Sequence, residues 1–282
     1  MAKLVLLLCL VTGLTLLSGV AMAKQLWSLP PVCQKGGDEA EELFNMALNY
    51  QYGVRGMPFD AAKAMKLYEE SVELGNPKAA INLGTMWRTQ FAGEQDTRGD
   101  RLQKMNDLYQ KAIDLGCPEG YYFLSYSYAE GYGVDRDVAM SDALIKKGVT
   151  EGSVICLSEY GIMLWNDGKR EEGLNLMEQA LDRGFFPAAL KLGTKYEVHY
   201  QDYEAMIRVY RKGASLGSSD CLYRLYAIYV QDEDYSGQPI DREYAECFRT
   251  LYRQINEKEP PQPIDLDRIC PPRPVKPHPS KQ

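Results

Sequence analysis

The side chains that could carry out chemistry are few in this sequence of 282 residues. It has two histidines, His199 and His278, which are the natural candidates for a base near neutral pH. Neither stands in an H-E-x-x-H motif, and no G-x-S-x-G or Walker-type phosphate loop accompanies them. We interpret both as surface histidines. The sequence therefore predicts a protein that is not an enzyme and that uses no cofactor.

One loop, at residues 232–243, has the residue order of a calcium site. It places oxygen-bearing side chains at its first, third, fifth and twelfth positions, namely Asp232, Asp234, Ser236 and Glu243. EF-hand loops bind Ca²⁺ with ligands at this spacing. Pro239 argues against such a site, because an apolar residue with a free amide is expected at the eighth position. A turn between two helices, without metal, is the interpretation that we favour.

The composition limits the partners that the chain can have. Its formal charge is −7, with 45% apolar and 25% charged residues, so it can build a core but would repel phosphates. Lys and Arg residues form no dense stripe along the chain. Nucleic acid and anionic membrane surfaces are therefore disfavoured, and a protein partner with basic patches is favoured.

The first 23 residues read as an export signal. Lys3 precedes an almost wholly apolar run over residues 4–17, and Ala21-Met22-Ala23 is a small-x-small cleavage site. The run is short for a helix that spans a bilayer. We predict a signal peptide over 1–23 that is cleaved after Ala23, then a lead-in over 24–35. The mature protein is predicted to be periplasmic or secreted, without stable membrane insertion.

Six glycines divide the rest of the chain into units of similar length, and they stand at 36, 75, 116, 152, 184 and 217. Large apolar or aromatic residues follow each glycine at eight and twelve positions. Small residues follow at four positions: Ala40, Ala79, Gly120, Cys156, Ala188 and Cys221. Side chains at i, i+4 and i+8 share one face of an α-helix. The pattern predicts one such helix, helix A, in each unit.

Residues before five of the glycines predict a second helix, helix B. Large apolar residues stand eight positions before them, at Leu67, Leu108, Leu144, Leu176 and Val209. Small residues stand four positions before them, at Ser71, Ala112, Gly148, Ala180 and Gly213, as expected where two helices approach closely. The glycine that follows is typical of a helix C-terminal cap. Each unit is therefore predicted to be a helix-turn-helix.

The first unit, AEELFNMALNYQYGVRGMPFDAAKAMKLYEESVELGNPKAA, and the third, YYFLSYSYAEGYGVDRDVAMSDALIKKG, carry a Gly-x-Gly-Val-like loop and an aspartate that opens helix B, at Asp60 and Asp137. In these features the chain resembles the Sel1-like repeat family, a relative of the tetratricopeptide repeats. The resemblance covers roughly residues 36–256. It implies an all-α fold, a right-handed α-solenoid of about six helix-turn-helix repeats.

The segment 257–282 differs in composition, because eight prolines occur from residue 260 onward. Such a segment favours an extended polyproline conformation. A flexible end is one interpretation. The resemblance to exported repeat proteins with a proline-rich ending implies the other, in which the tail packs back over the last units.

The cysteines have two predicted roles. Cys156 and Cys221 occupy small-residue positions of helix A, so we interpret them as packing residues. The four that remain beyond the export signal are the candidates for disulfides: Cys33, Cys117, Cys247 and Cys270. The pair Cys247 and Cys270 is our first choice, because it would fasten the tail to unit six. No C-x-x-C occurs, which argues against zinc.

The predicted binding surface follows from the tetratricopeptide-like arrangement, in which helix A lines the inner curve. Tyrosine and tryptophan are frequent among the residues that this arrangement would turn inward, and they are common at binding hot spots. The alternative is that several of them pack between repeats. The predicted set is Glu42, Met46, Tyr50, Arg88, Tyr122, Tyr126, Glu130, Trp165, Asn166, Glu197, Tyr223 and Gln231.

The sequence thus predicts a non-enzymatic, exported repeat protein that binds a protein partner on its concave face. The resemblance implies two roles of this kind, an immunity protein that neutralises a secreted, type VI-like toxin and an envelope adaptor or scaffold. Some cysteine-rich relatives bind penicillin-like compounds, which would imply a weak β-lactamase-like hydrolase. Those relatives carry regularly spaced cysteine pairs that link the two helices of a repeat, and this sequence does not.

Overall fold

The computed structural model describes residue 33 and residues 36–88, 98–231, 238–255 and 262–276. Within these ranges the chain is an all-α solenoid of six helix pairs. The first helices of the pairs are α1 (Asp38–Tyr52), α3 (Pro77–Arg88), α5 (Gly120–Glu130), α7 (Val154–Asn166), α9 (Pro187–Lys195) and α11 (Ser219–Val230). The second helices are α2 (Ala61–Glu73), α4 (Arg98–Asp114), α6 (Val138–Thr150), α8 (Arg170–Asp182), α10 (Tyr203–Ser215) and α12 (Arg242–Gln254). A short helix, α13 (Leu266–Ile269), follows in the tail.

Each helix packs mainly against the helix before it and the helix after it in the sequence. First helices of successive pairs also touch, as α5 with α7 and α9 with α11. This arrangement buries the apolar stripes between neighbouring pairs rather than around one centre, as expected for a solenoid. No helix among the described residues combines the length and the apolar character needed to cross a membrane.

Aspartates begin four of the six second helices, as the sequence predicted for Asp60 and Asp137. The side chain of Asp60 accepts a hydrogen bond from the amide of Lys63 at 2.9 Å, and Asp137 accepts one from Met140 at 2.9 Å. Asp202 and Asp241 do the same for α10 and α12. These N-caps satisfy amides that have no partner within the helix. They fix where these four second helices start, whatever the length of the loop before them.

Glycines end five of the second helices, at the positions that the repeat pattern gave. Gly75, Gly116, Gly152, Gly184 and Gly217 all have positive φ, between 83° and 96°. Only glycine adopts this conformation at little cost. The chain therefore turns sharply after each of these helices and enters the first helix of the next pair.

Small residues let successive helices approach closely, and the unpaired cysteines belong to this class. Cys156 and Cys221 are free and buried, and each Sγ lies over a glycine of the preceding helix. A Cβ added at Gly148 would lie 2.3 Å from the Cys156 sulfur, and one at Gly213 would lie 2.5 Å from the Cys221 sulfur. The packing role predicted for both cysteines is confirmed.

The closest backbone approach of this kind is within the fourth pair. A Cβ on Gly173 would lie 2.5 Å from the carbonyl oxygen of Gly161, and one on Gly161 would lie 2.7 Å from that of Gly173. Backbone atoms on both sides leave no flexible side chain that can move away. Substitution here must therefore separate α7 from α8.

The substitution Gly173→Ala is expected to lower the free energy of unfolding by about 1–3 kcal/mol, as overpacking in a tight core does. Urea unfolding followed by circular dichroism measures the change. Gly37→Ala is the control, because a Cβ added there would meet nothing within 4 Å and the φ of this residue is −59°. We expect the control to change stability by less than about 0.5 kcal/mol. Equal effects of the two substitutions would contradict the close approach.

Two disulfides tie the ends of the chain to the solenoid. One joins Cys33, before α1, to Cys117, just before α5. The other joins Cys247 in α12 to Cys270, directly after α13, and it is the pair chosen from the sequence. Neither bridge links the two helices of one pair.

The tail over residues 262–276 lies back over the last two pairs. Leu266 is 2% exposed, and the guanidinium of Arg211 donates to the carbonyl oxygen of Cys270 at 2.9 Å. Farther along, the buried amide of Gln238 donates to the carbonyl of Lys276 and accepts from its amide, both at 2.8 Å. Between them, these contacts hold the tail as an extended strap across α10 and α12.

Opening the second disulfide is expected to expose this strap to protease. In the double variant Cys247→Ser and Cys270→Ser, trypsin should cleave after Arg268 at least about tenfold faster, because local unfolding of α13 no longer has to strain a covalent closure. Mass spectrometry of the fragments measures the rate. The control is Cys156→Ala, which removes a buried thiol and keeps the Cys247–Cys270 disulfide. Trypsin should cleave this variant at the same rate as the parent chain. An unchanged rate in the double variant would show that noncovalent contacts alone hold the tail.

Candidate functional site

The twelve residues predicted to form the binding surface lie on or directly after the first helices or, for Glu197, in the π-helical turn that continues α9. We call them the A-helix face. Five are exposed: Glu42, Glu130, Asn166, Tyr223 and Gln231. Six are partly buried: Met46, Tyr50, Arg88, Tyr122, Tyr126 and Glu197. Trp165 is buried, with 8% of its surface exposed, so it follows the alternative that some aromatic residues pack between repeats.

Aromatic rings and cations occupy the middle of the face, on α3 and α5. The guanidinium of Arg88 lies 5.8 Å from the ring centre of Tyr126, within range of a cation–π contact. Tyr126 also meets Tyr132 edge-on, with ring centres 5.7 Å apart. Tyr122 meets Phe123 in the same way at 5.2 Å. These contacts hold the rings in fixed positions, so a partner that binds them loses little side-chain entropy.

Both central tyrosines remain protonated at neutral pH. Burial is the main reason that the pKa of Tyr122 is raised, with the nearby Glu159 carboxylate as the next cause. Burial also raises the pKa of Tyr126, followed by the neighbouring Tyr132. The two residues are therefore suited to contact and hydrogen bonding rather than to proton abstraction.

An ion pair joins two neighbouring first helices, and the repeat pattern was not used to predict it. Lys191 on α9 donates from Nζ to Oε1 of Glu159 on α7 at 2.6 Å. Both residues stand three positions after the small residue of their helix, an offset outside the predicted set. The equivalence of the two positions in the repeat was the available signal, because equivalent residues of adjacent repeats lie side by side.

Trp165 lies at the end of α7 and is surrounded by side chains from the fourth and fifth pairs. Lys195 Nζ is 4.5 Å from its ring centre, and the Arg170 guanidinium is 5.5 Å away. The rings of His199 and Tyr200 meet it edge-on at 5.1 and 6.0 Å. We call these five residues the Trp165 cluster.

A π-helical turn, Tyr196–Tyr200, brings the two ring residues of the cluster into place. It continues α9 and ends at Gln201, whose φ of 50° is left-handed. Turns of this kind are often associated with functional sites. His199 is exposed there, in keeping with the surface position predicted for it, while His278 lies outside the described residues.

Two charged groups near the cluster have shifted pKa values. Burial lowers the pKa of Lys195, and the positive charge of Lys191 lowers it further. Burial raises the pKa of Glu197, and Arg224 partly opposes that rise. Glu197 of the A-helix face and Lys195 of the Trp165 cluster are thus partly desolvated charges, which interact more strongly with a partner than fully hydrated charges do.

The last pair adds a second group of aromatic residues. Tyr223, 52% exposed, lies 6.1 Å from Tyr226 and 5.9 Å from Tyr252, measured between ring centres. Arg249 lies over the ring of Tyr226 at 5.9 Å. An exposed tyrosine supported by other rings has the character of a binding anchor.

A cleft of about 610 Å³ between α10 and the tail is a second candidate site. Its lining includes Arg208, Arg211 and Arg273. Each of these guanidiniums already pairs with a carboxylate, from Glu178, Asp267 and Asp241 in that order. The pairs of Arg211 and Arg273 stabilise the strap, the pair of Arg208 joins α10 to α8, and the cleft offers a ligand little unused charge.

Neither the free cysteines nor the described part of the calcium pattern forms a reactive or metal-binding group. Burial raises the pKa of the Cys156 and Cys221 thiols to about 12, so neither supplies a thiolate at neutral pH. Three residues of the calcium pattern, Asp232, Asp234 and Ser236, lie outside the described residues, and Glu243 is exposed in the first turn of α12. Among described residues, no three His, Cys, Asp or Glu side chains group as metal ligands would.

Solved structures with a similar fold include immunity proteins and a Sel1 repeat protein. The immunity protein Pa5087 from Pseudomonas aeruginosa superposes with a TM-score of 0.70 and 24% identity, over 89% of this chain and 96% of that one. The immunity protein PA5088 from the same organism gives 0.67 and 22%, over 90% and 97%. A Sel1 repeat protein from Oxalobacter formigenes gives 0.54 and 17%, over 77% and 86%. The chain has a Sel1-like repeat fold.

Only part of the chain is similar in sequence to the relative described next. A curated protein from Rhizobium leguminosarum bv. viciae, an exopolysaccharide production negative regulator, is 26% identical over 138 residues, which make up 45% of this chain and 51% of that protein. The match thus spans about half the length of that relative. No protein-family model matches the chain. The Sel1-like fold predicted from the repeat register is confirmed by the structural likeness.

Proposed function

We propose that this chain is an exported immunity protein, which binds a secreted, type VI-like toxin in the periplasm and blocks it. The observation that carries the proposal is the A-helix face, where fixed aromatic rings and partly buried charges line successive repeats. The fold likeness of this chain to two P. aeruginosa immunity proteins, over nearly their full length, supports the same role. The chain would act by occupying the toxin surface, without chemistry of its own.

The acidic balance of the chain favours a toxin with basic patches. Glu42 and Glu130 are exposed on the face, where their carboxylates can meet Lys or Arg side chains of the partner. Oppositely charged surfaces accelerate encounter and set the orientation of the complex. Aromatic residues such as Tyr126 and Tyr223 would then supply the contact area.

A co-expression experiment tests this proposal. Each exported protein encoded beside this gene is directed to the periplasm of a host cell, with and without the full chain. We expect one of them to stop growth, and growth to return when the chain is present. A variant that lacks residues 1–23 is the control, because it should stay in the cytoplasm and fail to protect. Survival that does not depend on the chain, or that the variant restores equally, would overturn the proposal.

A role as an envelope adaptor or scaffold is the second candidate. The likeness to the Rhizobium regulator of exopolysaccharide production favours it. In that case the chain would bind envelope proteins, and its loss would alter the cell envelope without any toxin. The hydrolase alternative has less support, because neither disulfide links the helices of one pair. Turnover of nitrocefin by the purified chain would revive it.

A further inference from the structure

The Trp165 cluster contains cations that have no carboxylate partner within the part of the chain that the structure describes. Lys195 and Arg170 both lie over the indole ring, and neither forms a salt bridge there. The charge that acts most on Lys195 is another cation, Lys191, one helical turn away. His199 lies at the ring edge and offers a further hydrogen-bond donor.

Two lysines of the first helices are paired with carboxylates, unlike the cations of the cluster. Lys191 is bound to Glu159 at 2.6 Å, and Lys78 on α3 is bound to Glu41 on α1 at 3.0 Å. In a chain with a formal charge of −7, carboxylates are plentiful. Positive charge that is gathered around an indole, without a salt-bridge partner among the described residues, therefore leaves an attractive potential for an anion.

The geometry leaves these cations able to bind. A cation over an aromatic face keeps N–H groups directed away from the ring, where they can donate to an external acceptor. Asn166 follows Trp165 directly and is exposed, and it offers a further donor. Lys195 is partly buried, so it loses less hydration on binding a carboxylate than a free lysine would.

We propose that the Trp165 cluster is the docking site for an acidic segment of the protein partner, one that presents at least two neighbouring carboxylates. The inference rests on the proposed function and adds the orientation of the complex. Basic patches of the partner would face Glu42 and Glu130, while its acidic segment lies against Lys195 and Arg170. If the partner docked in the opposite orientation, its basic patches would face Lys195 and Arg170, and its acidic segment would face Glu42 and Glu130. Like charges would then repel each other.

A labelled hexaglutamate peptide is the first probe, with hexalysine and hexaserine as comparisons, and fluorescence anisotropy as the measurement. We expect binding of hexaglutamate alone, weakened by added salt. The charge-reversal variant Lys195→Glu and Arg170→Glu should reduce the affinity by at least about tenfold. Lys195→Arg with Arg170→Lys keeps both charges and should retain affinity within about threefold of the parent.

The matched control is Lys146→Glu with Arg242→Glu, which makes the same change in net charge at exposed positions of α6 and α12. It should bind the peptide like the parent chain. Equal weakening by the control and by the reversal variant would show a general charge effect and overturn the inference. Thermal unfolding of each variant checks that the fold is intact.

The toxin-protection assay separates the failure of this inference from the failure of the proposed function. The reversal variant should lose protection, while the control variant should keep it. If the reversal variant protects fully but the alanine variant of Tyr126 and Tyr223 does not, the acidic docking site is wrong and the immunity role stands. If the parent chain protects against no neighbouring toxin, the proposed function itself fails.

Discussion

Replacing Glu119 with alanine is expected to lower the free energy of unfolding by about 3–5 kcal/mol, because several buried hydrogen-bond donors would lose their shared acceptor. Its carboxylate is fully buried before α5 and reaches the start of α7 in the next pair. It accepts hydrogen bonds from the Ser153 hydroxyl and from the amides of Val154 at 3.1 Å and Ile155 at 3.4 Å. Alanine would leave these donors without an acceptor in the interior.

Urea unfolding measures the loss, and Glu151→Ala is the control. Glu151 is exposed and pairs only with Lys147 on its own helix, so we expect a change below about 0.5 kcal/mol. Glu119→Gln keeps one acceptor oxygen, so its loss of unfolding free energy should lie between those of Glu119→Ala and Glu151→Ala. A loss for Glu119→Ala as small as that of the control would show that this inter-repeat cap does not contribute to stability.

The pH dependence of this loss has a definite sign. Burial raises the pKa of the Glu119 carboxyl, opposed by the Ser153 and amide hydrogen bonds and by Arg183. The folded state therefore holds the proton more tightly than the unfolded state does. The stability that the Glu119 carboxyl contributes is therefore present at low pH. It is lost as the pH rises through the pKa that this carboxyl has in the folded state. The loss on Glu119→Ala should accordingly be larger at about pH 5 than at about pH 8.

The double variant Tyr126→Ala and Tyr223→Ala is expected to weaken toxin binding by at least about 100-fold, because two hot-spot aromatic residues contribute about 2 kcal/mol or more each. The two residues sit on α5 and α11, so a partner that lies along the face contacts both. Calorimetric titration of the chain with the toxin found by co-expression gives the affinity. Trp165 is left unchanged, since it is buried and its removal would also disturb packing.

Phe59→Ala is the matched control for this variant. Phe59 is 60% exposed, but it lies in the loop between α1 and α2 rather than on the A-helix face. We expect its substitution to change affinity by less than about threefold. Unchanged affinity in the double variant would reject the face as the binding surface. A loss of affinity in both variants would indicate that the partner also contacts the loops.

The recurring local features were predictable from the sequence. The helix pairs, the aspartate caps at Asp60 and Asp137, and the packing role of Cys156 and Cys221 all repeat at a fixed register. Because each pair in a solenoid packs chiefly on its neighbours, contacts lie close in the sequence and repeat with it. A pattern that recurs in several units therefore carries structural information even when each single match is weak.

Features that occur once could not be predicted in this way. The partner of Cys33 is 84 residues away, and Glu119 caps a helix of the following pair. The contacts of Trp165 with His199 and Tyr200 involve the π-helical turn at Tyr196–Tyr200, for which the repeat pattern gives no signal. The residues of the predicted face lie on the first helices or directly after them, yet the structure alone revealed which of them are buried.

By itself, then, the sequence determined an all-α solenoid, the register of its repeats and the helices that carry the candidate surface. These properties follow from helical periodicity and from the conformational limits of glycine and aspartate at helix ends, which act over a few residues. The tertiary structure decided how charges pair between repeats, so that Glu159 is neutralised by Lys191 while Lys195 is left without a carboxylate among the described residues. Such pairing depends on distances of a few ångströms between side chains of different helices, and only the packed helices set those distances.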